Sequence, residues 1–230
     1  MIKVGDRVKF NSRRGIVLTE TDDKFIIWDK RGNKYSVLKE QVEFDDSRYI
    51  RIAGLLENSQ VNGPGNRFVL FVSGCSIHCK ECQNKQMQDF NYGDYVPMDE
   101  IIDKIKNNLI ILDGITISGG EPFDNTDKLT TLLKMIKKEF PDLNIWCYSG
   151  YTINQILMDR KNKIKMLKYI DYLVEGPYIR SLDPNVTNNK PIKYRGSVNQ
   201  NILDVRSILE PLKDKMLDVK VVFYDEDKRK

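Results

Sequence analysis

Phe71-Val72-Ser73-Gly74-Cys75-Ser76-Ile77-His78-Cys79-Lys80-Glu81-Cys82-Gln83-Asn84-Lys85 holds three of the chain's four cysteines within eight residues. Three residues separate Cys75 from Cys79, and two separate Cys79 from Cys82. One tight loop can therefore turn three sulfurs toward one centre. A cubane of four irons is usually held by four thiolates, so three would leave one iron with an open position. Open positions on metals are where chemistry happens, as the contrast between closed structural and open catalytic zinc sites shows. A disulfide framework fits poorly, because four cysteines in 230 residues with no secretory segment are too few and too clustered. The rival is structural zinc held by Cys75, His78, Cys79 and Cys82, the mark of a non-catalytic zinc-binding interaction module.

The flanking residues place this loop in a fold. Arg67 to Val72 is rich in β-branched and aromatic residues and reads as a buried strand, and Gly74 lets the backbone leave it sharply. The cysteines then sit at the C-terminal end of a strand, where α/β folds put their active sites. A helix over Met98 to Leu109 follows, with Ile101, Ile102, Ile105 and Leu109 on one face. Gly114 to Ser118 is a second core strand that delivers Gly119-Gly120-Glu121 at its C-terminal end. Asp124 or Asn125 caps the next helix, whose buried stripe is Leu129, Leu132, Leu133 and Ile136. Asn144 to Tyr148 and Tyr172 to Glu175 are further strands, with a helical stretch over Ile153 to Leu167 between them. Residues 176–200 form a long polar loop, Val205 to Leu212 a short helix and Asp218 to Tyr224 a last strand. Strands alternating with helices imply right-handed βαβ units and a parallel sheet. Five or six strands are too few for a closed eight-stranded barrel, so an open, partial (β/α) barrel is expected.

Residues 1–45 read separately. Short strands punctuated by Gly, Asn and Asp turns every eight to ten residues predict a small all-β barrel, SH3-like or KOW-like. Phe44-Asp45-Asp46-Ser47 is a polar joint, and residues 46–230 make the second domain, opened by an edge strand from Tyr49. Hydrophobic residues are 40% and charged residues 30% of the chain, as in a globular protein. The longest apolar runs are far too short to span a bilayer, and no signal-peptide core is visible. Cytoplasmic residence is expected, which suits cysteines kept reduced. The net charge of +4 arises from 37 basic and 33 acidic residues. That excess is too mild to argue for nucleic acid.

The C-x3-C-x2-C spacing resembles the signature of the radical S-adenosylmethionine (SAM) enzymes, and Ser118-Gly119-Gly120-Glu121-Pro122 resembles their methionine-binding motif. Four further stretches resemble the activating enzymes of anaerobic (class III) ribonucleotide reductase. They are Asn62-Gly63-Pro64-Gly65, the run from Phe71 into Cys75, Ile145-Trp146-Cys147-Tyr148-Ser149-Gly150-Tyr151, and Tyr194-Arg195-Gly196-Ser197-Val198-Asn199-Gln200. The resemblance runs from about Tyr49 to about Arg206 and leaves out the first 45 or so residues. Many radical SAM enzymes carry an aromatic just before the third cysteine, and Glu81 stands there here.

The resemblance implies an α/β fold, an open partial (β/α) barrel of the radical SAM type, and a 4Fe-4S cluster on Cys75, Cys79 and Cys82 with SAM on the fourth iron. It implies a glycyl radical raised on the reductase, with electrons from a flavodoxin- or ferredoxin-type donor. Gly119 and Gly120 would allow close backbone approach to SAM, and Glu121 would accept from its ammonium. Ser149 with Gly150, and Asn62 to Gly65, are candidates for shaping the SAM or peptide pocket. Arg195, Ser197, Asn199 and Gln200 are candidates for SAM's ribose or carboxylate, or for the incoming peptide. Another glycyl-radical activase, or an enzyme like 7-carboxy-7-deazaguanine synthase, would share the cluster chemistry. Cys147, Trp146 and Phe140 read as core, His78 as incidental, and Asp99 with Glu100 as helix-start charges.

Overall fold

The computed structural model describes residues 1–187 and 191–213. The strand expected over Asp218 to Tyr224, and the charged tail after it, lie outside the described residues. The chain divides into two compact units between Tyr49 and Ile50.

The first unit is a five-stranded antiparallel sheet of β1 (Arg7–Phe10), β2 (Arg13–Glu20), β3 (Lys24–Asp29), β4 (Lys34–Leu38) and β5 (Glu43–Phe44), in the order β4-β3-β2-β1-β5. Period-two alternation sends Val8 and Phe10 inward and Arg7 and Lys9 outward. Val17, Phe25, Ile27, Val37 and Val42 complete the small core. Asn11 and Ser12 join β1 to β2 with φ of 44° and 61°. Both central residues of this two-residue hairpin are left-handed, the hand that matches strand twist. The polar joint at Phe44 to Ser47 is built into this unit. Phe44 pairs with Val8 in β5, and Asp45 is buried against Lys9 and Arg14 at 3.5 and 3.2 Å.

The second unit carries β6 (Tyr49–Ser59), β7 (Arg67–Val72), β8 (Asp94–Pro97), β9 (Gly114–Gly119), β10 (Asn144–Tyr148), β11 (Tyr172–Glu175) and β12 (Asn201–Asp204). Their order is β12-β11-β10-β9-β7-β6-β8. The run β7-β9-β10-β11 is parallel, with β6 and β12 antiparallel beside it. The helices are α1 (Met98–Asn108), α2 (Thr126–Glu139), α3 (Ile153–Met158), α4 (Lys163–Leu167), α5 (Pro184–Thr187) and α6 (Val205–Lys213). Strand parity sorts the sheet residues. Leu70, Ile117, Cys147, Leu173 and Leu203 lie in register across five strands and pack into one core with Ile101, Ile105, Leu132, Leu133 and Met166. The opposite face carries Val69, Thr116, Trp146 and Tyr172 in register.

The single helix expected over Ile153 to Leu167 is two. The Asp159 carboxylate accepts the N–H of Lys161 and of Asn162, and this local turn competes with the helix and breaks it. β12 begins directly after the polar loop of residues 176–200; Ile202 and Leu203 pair with Val174 and Leu173 across a run too short to announce itself.

Arg67, at the start of β7, is fully buried. Its guanidinium donates to Thr116 Oγ1 at 2.6 Å, Ile115 O at 2.6 Å, Pro64 O at 3.1 Å and Asn144 O at 3.2 Å, and it lies 5.7 Å from the centroid of Trp146. One cation thus ties together the starts of three parallel strands and the Asn62 to Gly65 turn. A buried hydrogen bond from a charged donor contributes roughly 1.5–3 kcal/mol. Arg67→Met is therefore expected to lower the unfolding free energy in urea by about 3 kcal/mol or more, because it strands several carbonyls. A loss below about 1 kcal/mol would show that the carbonyls find other donors.

Candidate functional site

The cysteine loop leaves β7 through Gly74, whose φ is +91° and whose missing side chain makes room for the Phe90 ring. The loop is then pinned along its length. Gly74 N–H donates to Met87 O at 2.8 Å and Cys75 N–H to Gln88 O at 3.1 Å, so the chain after the cysteines returns beside their start. Glu121 N–H donates to Gly74 O at 2.7 Å, and Gly120 N–H to Val72 O at 2.7 Å. A Cβ on Gly120 would collide with Gly74 O and Met87 O, and one on Gly119 (φ +105°) with the backbone of Val72. The close approach that these two glycines permit is thus made by the chain's own cysteine loop. Gly150 serves likewise, since a Cβ there would stand 2.7 Å from Ile77 Cδ1 of the loop.

Glu121 is buried at 1% exposure. One carboxylate oxygen accepts from Phe123 N–H at 2.9 Å and Ser149 Oγ–H at 2.8 Å, and the other from Gly150 N–H at 2.8 Å. The residue after β9 thereby holds the residues after β10. Burial pushes its carboxyl up to about 7, against the opposing pull of those three donors. Next to it, Asp124 accepts from Ser76 N–H at 2.7 Å and Tyr151 O–H at 2.8 Å, and the Tyr151 and Ser76 hydroxyls lie 3.0 Å apart. Asp124 and Tyr151 therefore anchor the cysteine loop. Neither role is visible in the sequence, where Asp124 is a candidate helix cap and Tyr151 ends the Ile145 to Tyr151 stretch. Asn125 takes the N-cap position of α2 without capping it; its amide donates to Ser73 O at 3.0 Å instead.

Cys75, Cys79 and Cys82 are all free and partly exposed. Burial pushes the Cys75 and Cys79 thiols up; at Cys75 the N–H groups of Ile77 and His78 pull the other way, and at Cys79 the nearby Cys82 adds to the rise. The Tyr178 N–H reaches Cys79, which brings the segment after β11 against the loop. A mononuclear ion would need its thiolates within about 2.3 Å of one point, and no group of three or more Cys, His, Asp or Glu among the described residues is so arranged. A four-iron cluster asks for less convergence, because each thiolate ligates its own iron.

The remaining candidates separate cleanly. Gln200 is consumed by the loop: its amide oxygen accepts from Gly196 and Ser197 N–H at 2.8 and 3.2 Å, and its nitrogen donates to Gly176 O at 2.9 Å. Ser197 is buried and accepts from Ile179 N–H at 3.2 Å. Arg195 donates to Gln200 O at 3.1 Å. Asn199 differs. Its nitrogen donates to Pro177 O at 2.8 Å, while its buried Oδ1 has no partner among the described residues. Asn62 to Gly65 is not at this end of the sheet at all. It precedes β7, one strand length of roughly 20 Å from the cysteines, and a Cβ on Gly63 would strike the Arg67 side chain at 2.8 Å. That turn seats Arg67 and shapes no pocket beside the cysteines. Cys147 is fully buried in the core, and burial pushes its thiol well up.

Residues 61–203 match the family model described as a 4Fe-4S single cluster domain. The chain is 37% identical over 148 residues to the anaerobic ribonucleoside-triphosphate reductase-activating protein of Haemophilus influenzae, a match covering 62% of this chain and 90% of that protein. The protein of the same name from Escherichia coli K12 is 33% identical over 152 residues, covering 64% of this chain and 93% of its own length. That from Enterobacteria phage T4 is 32% identical over 147 residues, covering 62% and 86%. With a 4Fe-4S domain model spanning residues 61–203 and relatives aligned along most of their own lengths, this chain belongs to the family of anaerobic ribonucleoside-triphosphate reductase-activating proteins.

Proposed function

We propose that this chain activates an anaerobic ribonucleotide reductase by radical SAM chemistry. Cys75, Cys79 and Cys82 would hold a 4Fe-4S cluster, and Gly119, Gly120, Glu121, Ser149 and Asn199 would frame SAM. The observation that carries the reading is the packing of the cysteine loop onto Gly120 and Gly150, at the C-terminal ends of β7, β9 and β10. Three partly exposed thiols and a carboxylate with unused acceptor capacity fit the donor set such a centre needs. The chemistry supplied there by the cluster and SAM, when bound, is one-electron cleavage of the sulfonium and removal of a hydrogen atom from a glycine α-carbon of the reductase.

The chain's own residues bind, orient and exclude water. A carboxylate has about four acceptor sites, and three of those on Glu121 are taken by protein donors, which leaves one for an ammonium. The unpartnered Oδ1 of Asn199 suits a ribose hydroxyl or a second N–H. Deprotonation of the raised Cys75 and Cys79 thiols accompanies metal binding, so iron uptake releases protons. We read the second unit as an open partial (β/α) barrel of the radical SAM type and the first as an SH3-like module. Cytoplasmic residence and a flavodoxin- or ferredoxin-type electron donor complete the reading. Among the described residues, no helix is long and apolar enough to cross a membrane.

The direct test is anaerobic incubation with SAM, a reductant and the candidate reductase, read by electron paramagnetic resonance for a glycyl radical. Cys75→Ala, Cys79→Ala and Cys82→Ala are each expected to abolish cluster iron and SAM cleavage, while Cys147→Ala keeps both. Equal iron content in all four variants would refute the ligand set. Removing residues 1–48 is expected to leave both properties intact, and a soluble truncated protein without SAM cleavage would make the first unit part of the site.

Glu121 gives a pH signature in the iron-free protein. Its carboxyl sits near 7 when folded, against 4.5 for the free side chain, so the folded chain binds the extra proton between those values. That contribution to stability is fully present below about pH 4.5 and is lost as pH rises toward 7. Wild-type melting temperature should therefore fall across that window relative to Glu121→Gln. Parallel profiles for the two proteins would place the raised carboxyl elsewhere.

A further inference from the structure

The family model begins at residue 61, so the first unit needs a role of its own. Its charge looks balanced, with eleven Lys and Arg against nine Asp and Glu in residues 1–49. The balance hides a segregation. A groove of about 880 Å³ opens on this unit, and Arg7, Arg13, Arg14, Lys30 and Arg31 line it, with Asp29 the one acidic residue there. One carboxylate against five cations leaves the groove positive. The Asp29 carboxylate accepts from the N–H groups of Arg31 and Asn33, the Asn33 amide and the Tyr35 hydroxyl. Arg14 is paired with Asp45 at 3.2 Å. Arg7, Arg13, Lys30 and Arg31 make no ion pair among the described residues.

An aromatic surface lies among these cations. The strand register sets Arg7 opposite Ile16 and Ile16 opposite Trp28, on the face away from Val8, Val17 and Ile27. Trp28 is 48% exposed. Arg13 covers the Tyr35 ring at 4.9 Å from its centroid. Like charges gathered around a flat, open ring repel one another until an anion with a planar group arrives. Phosphates satisfy the guanidinium forks, and a base stacks on the indole. An acidic peptide would bring charge but no planar face for Trp28. A lone nucleotide would leave much of the groove empty, since its volume lies toward the upper end of small-ligand pockets, roughly 300–1,000 Å³.

We propose that this groove of the first unit binds single-stranded nucleic acid, with a base on Trp28 and the phosphodiester chain along Arg7, Arg13, Lys30 and Arg31. The near-neutral composition that set nucleic acid aside in the sequence is an average; only the folded unit gathers these cations around one groove.

The test uses the full-length protein and fluorescein-labelled 20-mers of dT and rU, read by anisotropy between 50 and 200 mM salt. Binding should weaken with salt at a log–log slope of about −3, four phosphate contacts at roughly 0.7 each. Trp28→Ala should weaken binding by about tenfold, the effect of losing one stacked base. The pair Arg7→Ala and Arg31→Ala should reduce the slope by about 1.4. Arg31 lies on an exposed turn, so Arg31→Glu alone keeps the fold and should weaken binding in the same direction. No binding at 50 mM salt would overturn the proposal, as would binding indifferent to these variants. It would equally fail if poly-glutamate or ATP displaced the 20-mer at matched charge concentration. None of these measurements depends on iron or SAM, so this proposal and the reading of the cysteine site stand or fall separately.

Discussion

The Glu121 carboxylate is the joint on which the functional end of the sheet depends. An ionised carboxylate out of water costs roughly several kcal/mol unless its lone pairs find donors, and here three donors from two loops supply most of them. Meeting that demand forces the residues after β10 to stand against those after β9. The same short stretch presents Gly119 and Gly120, whose bare backbones let the cysteine loop close onto it. Geometry at the cysteines is therefore inherited from a polar contact one strand away, and Asp124 with Tyr151 ties the far side of the loop to the same frame.

The two faces of the second sheet divide the labour. One face is apolar in register, from Leu70 through Ile117, Cys147 and Leu173 to Leu203, and it holds the helices. The other carries Trp146, Val174 and Ile202 with Tyr148, Tyr172 and Tyr194 packed against them. At the N-terminal ends of the strands, Arg67 supplies hydrogen bonds that no hydrophobic side chain could replace. Rigidity at that end and the proposed cofactor site at the other are carried by the same four parallel strands. The turn at Asn62 to Gly65 belongs to the N-terminal end: Gly63 makes room for the Arg67 side chain and Gly65 for Asp113.

The first unit lies outside residues 61–203, which the family model matches. Its core is small, seven buried side chains with Ile2 and Tyr35 packed against them, and its outward face is where its composition becomes informative. Five cations and one carboxylate line the groove, so the near-neutral charge of the unit as a whole is not the charge of the groove.

Much of this was legible in the linear order of residues. The cysteine spacing, the strand at Arg67 to Val72, Gly119-Gly120 at the end of the next strand and the periodic stripe of α2 all follow from local rules of period and turn chemistry, because each concerns residues within a few positions of one another; in α1 Ile101 and Ile105 are buried as expected, but the helix ends at Asn108 and Leu109 is exposed. Cys147 as core followed from its apolar strand. What local rules could not reach was the partner of each group. That Gly120 faces Gly74 and Met87, that Glu121 is filled from Ser149 and Gly150, that Gln200 is used up while Asn199 Oδ1 is left open, and that Arg7, Ile16 and Trp28 share one face are facts about residues far apart in sequence. Register and packing decided them, since hydrogen-bond saturation and charge neutralisation are settled only when distant segments are brought to within about 3 Å.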